Sequence, residues 1–218
     1  MKIVNNVLGS FTAENMSLCF KYCCVPALVF YVISLTVMQL SGFTLVEILR
    51  DPAQQTKQSS FLGFVSNIGT WLWLAAATIC FFRVSTFGKP SPDGRKSMIR
   101  MAGWFSLVLA VDDFFLIHDR YITEGILIPL YAGFLFYMLK RQLDNIIKID
   151  GFAFIMAGGL LAGSVVVDAV QEILPISYGL SQAFEEGFKF VGAAAWLYFC
   201  YRISAFGLRT HTTDSENA

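Results

Sequence analysis

The run VDDFFLIHDR at 111–120 sets two adjacent carboxyls, Asp112 and Asp113, ahead of His118 and Asp119 in an otherwise apolar stretch. Further acids follow at Glu124, at Asp168 and Glu172, and at Glu185 and Glu186, with Lys189 one turn beyond the last pair. Together they are half of the chain's 16 acids. Carboxylates alone suit Ca²⁺ or Mg²⁺, and an added imidazole opens the site to Zn²⁺, Mn²⁺ or Fe²⁺. Without a metal, desolvation and mutual repulsion favour protonated carboxyls that relay protons. Asp112, Asp113, His118, Asp168, Glu172 and Glu186 are therefore the expected cation or metal ligands. Lys189, Glu185, Glu124 and Asp119 are the expected ion-pair or proton-relay groups.

The elements that must position these residues are apolar helices. The chain has 218 residues, 56% hydrophobic and only 15% charged, with 21 Phe and a mean hydropathy of +0.59. Soluble domains carry about 25% charged residues, so this composition predicts an integral membrane protein. A net charge of zero gives no basic footprint for nucleic acid. A bilayer core needs about 20 apolar residues in helical form, and 25–46, 61–82, 98–117, 122–139, 152–172 and 183–204 each supply such a run. Short connectors make neighbours antiparallel. The expected fold is all-α: a polytopic six-helix transmembrane bundle of three antiparallel hairpins over 25–206. It is preceded by an N-terminal segment, 1–24, and followed by a disordered tail, 207–218. The first run lacks a signal-peptide cleavage site and is read as retained. Residues 3–20 suit either a helix on the membrane surface or a frayed terminus.

Topology follows the basic residues. Lys2, Lys21, Arg83, Lys89, Arg95, Lys96, Arg100, Lys140, Arg141, Lys148, Arg202 and Arg209 fall on one side, and only Arg50, Lys57 and Arg120 on the other. Both termini are therefore expected in the cytoplasm, with the chain in the cytoplasmic membrane. Cys19, Cys23, Cys24, Cys80 and Cys200 then sit toward the reducing side as thiols. The acidic group lies toward the outer face. TEGILIPLYAGFLFY at 123–137 also aligns without gaps on EEGFKFVGAAAWLYF at 185–199, with Asp112 opposite Asp168 in the preceding spans. This reads either as an internal hairpin repeat or as chance agreement between apolar segments.

Asp112 precedes His118 by six residues and is expected about 9 Å deeper at 1.5 Å per residue. A lone charge at that depth costs about 2.5–3.5 kcal/mol, so it must turn inward, pair or protonate. Several members also have plainer explanations. Glu124, Glu185 and Glu186 fall near helix N-termini, where the dipole favours acids. Asp119 and Arg120 suit a solvated turn, and His118 an interfacial position. Gly159, Gly163 and Ala193–Ala195 suit close helix packing, which would bring Asp168 near Glu186, or a dimer face. Trp71, Trp73, Trp104 and Trp196 read as lipid or packing contacts. Pro26 and Pro129 suit bends, Pro26 also a first helical turn.

Known membrane-enzyme patterns do not match. The GxSG of rhomboid-type proteases and the GxGD of presenilin-type proteases are absent. His118 and His211 fall short of three His ligands or a bis-His haem site, and no outer CxxC supports disulfide exchange. The leading expectation is an outward-facing acidic cavity that binds cations or protons for transport, conduction or sensing. The first alternative is an intramembrane carboxylate/His metalloenzyme holding Ca²⁺, Zn²⁺, Mn²⁺ or Fe²⁺, and the second a non-catalytic partner or immunity-type subunit. Expected partners are membrane lipid and further subunits, as a homo-oligomer or in a membrane complex.

Overall fold

The computed structural model describes residues 20–50, 52–59, 61–86, 94–171, 173 and 175–207, together with Ala13 and Ser17. Most of the surface helix expected over 3–20, Cys19, residues 87–93 of the basic connector, Glu172, and the tail from 208 with His211 lie outside the described residues. All secondary structure among the described residues is helical. The chain divides into two compact units, Met1–Leu62 and Gly63–Ala218, a boundary that falls inside the single domain expected over 25–206.

In the first unit a π-helical turn, Phe20–Cys24, leads into α1 (Val25–Leu40). Pro26 occupies the first turn of α1, where its missing N–H has no helical partner to lose. The run expected to 46 stops earlier, at a turn through Ser41 and Gly42 (φ +95°). The short α2 (Leu45–Leu49) opens with a capping box. The Glu47 carboxylate accepts the Thr44 N–H at 2.8 Å, and Thr44 Oγ1 accepts the Glu47 N–H at 3.3 Å. At the end of α3 (Pro52–Gln55), Gln55 Nε2 donates to the Arg50 carbonyl at 2.7 Å and closes the loop.

The second unit contains α4 (Phe64–Thr86), α5 (Arg95–Phe115), α6 (Ile117–Arg120), α7 (Glu124–Val170) and α8 (Tyr178–Ala205). A straight helix of 47 residues would extend about 70 Å, yet Glu124 near the start of α7 lines the same cavity as Asp168 near its end. The reversal is made between Gln142 and Asp150, both with non-helical backbone angles. Asp150 Oδ1 accepts the Ala153 N–H at 3.1 Å and so caps the returning half. The spans expected at 122–139 and 152–172 are thus two limbs of one folded helix, and the connector between them is largely helical.

Packing fixes the directions. Phe105 of α5 stacks on Phe134 of the first α7 limb at 5.3 Å and meets Trp196 of α8 edge-on at 5.3 Å. The second limb runs against α8 through Phe154–Phe199 at 5.3 Å and Asp150–Arg202 at 3.3 Å. Trp196 Nε1 donates to Ser106 Oγ at 2.8 Å, which satisfies the indole inside the core. Small residues set the helix spacing, at one of the two glycines of the GxxxG pattern and more tightly at Gly192. A Cβ on Gly192 would lie 3.0 Å from Leu161 Cγ and 3.2 Å from its backbone N, and one on Gly163 would lie 3.7 Å from Phe188. Gly159 faces open space. Cys80 and Cys200 are thiols buried in this core, and Cys24 is exposed.

Three helical stretches among the described residues are long and apolar enough to cross a membrane: Phe20–Leu40, α4 and α7. This is compatible with a membrane protein. Helices α5 and α8 carry acids, Lys189 and Arg side chains within their length, and these belong to the polar end of the unit and its opposite rim.

Candidate functional site

Helix α5 breaks at Leu116, a non-glycine residue in the left-handed region (φ 52°, ψ 46°). That break returns α6 onto the end of α5. Asp112 therefore does not lie a helical step of 9 Å from His118. Its Oδ1 accepts the His118 backbone N–H at 2.9 Å and contacts Nδ1 of the ring at 3.0 Å. Its Oδ2 accepts the Tyr131 hydroxyl at 2.9 Å. At 4% exposure Asp112 is the most enclosed acid of the group. An ionised carboxylate only accepts, so Nδ1 carries the hydrogen and the Nε2 edge is left for other partners. The hydrogen bond to Asp112 raises the His118 pKa above its usual 6.5, with help from the Asp112 and Asp119 charges and against burial and Lys189.

Asp113, one residue on, has a separate set of partners. Lys189 Nζ lies 3.0 Å from its Oδ1, and Trp73 Nε1 donates to its Oδ2 at 2.9 Å. The two deep aspartates are thus satisfied by protein groups, one on each side of the α5 terminus.

In front of them opens a cavity of about 340 Å³ lined by Ser66, Asp113, Leu116, His118, Asp119, Glu124, Asp168, Gln171, Tyr178, Gln182, Glu185, Glu186 and Lys189. Six carboxyls face it, against Lys189 and His118. Asp168 Oδ1 accepts from Gln171 Nε2 at 2.6 Å, and Gln182 Nε2 donates to Glu185 Oε2 at 2.7 Å. Asp168 and Glu124 approach closely enough to interact directly. His118, Asp119 and Glu124 each offer one ligand atom, all within 4.8 Å of one another, and Nε2 of His118 stands 3.5 Å from Asp119 Oδ1. Each expected site residue other than Glu172 either lines the cavity or, as Asp112, backs the histidine that does.

Residues 22–203 match the family described as Domain of unknown function (DUF8692). The chain belongs to that family. No curated protein and no solved structure matches it. The matched region of this DUF8692 chain includes every site residue from Asp112 to Lys189. It also includes two polar partners that the sequence did not single out as such: Trp73, read there as a lipid or packing contact, and Tyr131, which carried no expectation. Trp73 is buried in the core, yet its indole N–H holds Asp113. Tyr131 lies seven residues after Glu124, two turns along one helical face, a spacing that could have flagged it.

Proposed function

We propose that this DUF8692 protein is a six-span membrane protein whose outward-facing acidic chamber binds cations, in service of transport, conduction or sensing. One observation carries this reading: among the described residues, six carboxyls from four helical segments and the α6 turn share one cavity with only Lys189 and His118 to balance them. Uncompensated negative charge away from bulk water costs several kcal/mol per group unless cations or protons are taken up, and a chamber of this charge concentrates cations from solution. The hairpins α4–α5 and the two pairs that α7 and α8 form support the six-span reading, with α1 as the first span. The basic residues at the opposite end support a cytoplasmic placement of both termini in the cell membrane. A chamber confined to one end gives no through-path, which favours a homo-oligomer or a larger complex if ions cross.

The test is cation binding and flux with the full chain in liposomes. Asp168→Asn removes one of the two adjoining carboxyls that no lysine balances. It is expected to abolish cation-dependent flux, or cation binding if the protein senses rather than transports. Unchanged binding and flux in Asp168→Asn and in Glu186→Gln would overturn the proposal.

A metalloenzyme is the second reading, favoured by the Asp112–His118 pair. An imidazole held by a buried carboxylate, with its other nitrogen on a cavity, is the arrangement of a general base or of a metal ligand beside a metal-bound water. Turnover of an ester or amide that is lost in His118→Gln, without loss of folding, would favour this reading over transport.

A further inference from the structure

The chamber's donors are not all of one kind, and their arrangement discriminates between cations. The three groups with mutually close ligand atoms, His118, Asp119 and Glu124, combine one nitrogen with two carboxylates. The imidazole is fixed from behind by a residue that takes no part in the cluster. Asp112 is enclosed by protein, accepts from Nδ1 at 3.0 Å and from the backbone N–H at 2.9 Å, and is itself held by Tyr131. Metal-binding histidines characteristically donate their second ring N–H to a carboxylate in this way, which sets the tautomer and the ring plane. Ca²⁺ and Mg²⁺ take oxygen ligands and gain nothing from an oriented imidazole, whereas Zn²⁺, Mn²⁺, Fe²⁺ and Co²⁺ do.

We infer that His118 Nε2, Asp119 and Glu124 form a site for a divalent transition metal, with Asp112 as the positioning residue behind the histidine and the remaining coordination positions open to the chamber. The inference rests on reading the chamber as a cation site and narrows which cation it holds. Asp168, which interacts directly with Glu124, is a further carboxylate that can complete the set.

The experiment uses the full chain, stripped with chelator in detergent at neutral pH and titrated with Co²⁺ while its visible d–d bands are followed, then challenged with millimolar Ca²⁺. One equivalent of Co²⁺ with ligand-field bands that survive Ca²⁺ is the expected result. Asp112→Asn should weaken Co²⁺ binding by about 10–100-fold, the usual effect of removing such a partner, and leave Ca²⁺ binding elsewhere in the chamber unchanged. Asp119 is half exposed at 51%, so Asp119→Asn is expected to fold, and it too should weaken Co²⁺. Bands that Ca²⁺ displaces at similar concentration, or that are unchanged in both His118→Gln and Asp119→Asn, would overturn the inference while leaving a cation-binding chamber standing. Absence of any bound cation, Ca²⁺ included, would instead sink the broader proposal.

Discussion

At the scale of single residues, the turn at Leu116 makes the site. Asp112 and His118 are six apart, and a sequence gives their helical separation but not the point where the helix stops. Leu116 has none of the usual signals of a helix end, being neither glycine nor asparagine, so the returned histidine was not legible, although its place among the site residues was. A bulky residue held at φ 52° carries strain of about 1–2 kcal/mol. Leu116→Gly should therefore raise the melting temperature in detergent or at least not lower it, while a β-branched Leu116→Val lowers it. The pair that the turn creates has a pH signature. Because Asp112 raises the His118 pKa above 6.5 in the folded protein, the stabilisation is full below the unfolded value near 6.5 and is lost as pH rises through the higher folded value. In the chelated protein, the imidazole signals of His118 should titrate above 6.5 by NMR and move back toward it in Asp112→Asn. A wild-type midpoint at or below 6.5 would mean that the contact is not made.

Element by element, apolar periods and lengths were enough to locate α4 and α5 to within four residues, while α1 ends six residues early and α8 starts five residues early. The reversal inside α7 was legible as a basic connector but not as a mostly helical one, since Gln142 and Asp150 bend the chain without a proline or a glycine-rich loop. Packing contacts were less visible. Of the GxxxG pair, Gly163 lies against Phe188 and Gly159 against nothing, whereas the tighter approach is Gly192 against Leu161, a contact between helices that no local spacing encodes. Within a membrane, helix association depends on such van der Waals fit. Gly192→Val should destabilise the unit by about 1–3 kcal/mol through overpacking, and Gly159→Ala should leave thermal unfolding unchanged. The Asp113–Lys189 pair ties α5 to α8 at the polar end. Removing one partner by Lys189→Met strands Asp113, which is 10% exposed, and should cost about 3 kcal/mol, the low end for a buried pair. The double change Asp113→Asn with Lys189→Met should recover part of that loss, and strictly additive effects on unfolding would show that the two charges are not coupled.

For the whole molecule, the deciding quantity is how many helices cross the bilayer. Length and apolarity alone identify Phe20–Leu40, α4 and α7 among the described residues, and not α5 or α8. The acids of α5 and α8 and Lys189 are turned to protein partners or to the cavity. Asp112 is enclosed by His118 and Tyr131, Asp113 is paired with Lys189, and the remaining acids of α8 face the cavity. A helix whose ionisable groups are turned inward and partnered pays little of the insertion cost of a lone charge, so α5 and α8 are expected to cross. Connectors of the second unit should then alternate between the two faces. Cysteines introduced singly at Tyr121 and Ser177, with the buried Cys80 and Cys200 retained and the other native cysteines removed, should react with a membrane-impermeant maleimide in intact cells. Cysteines at Lys96 and Asp144 should react only after permeabilisation. If α5 instead lay along the surface, Lys96 and Tyr121 would label alike. The outward placement proposed for the acidic chamber would then fail.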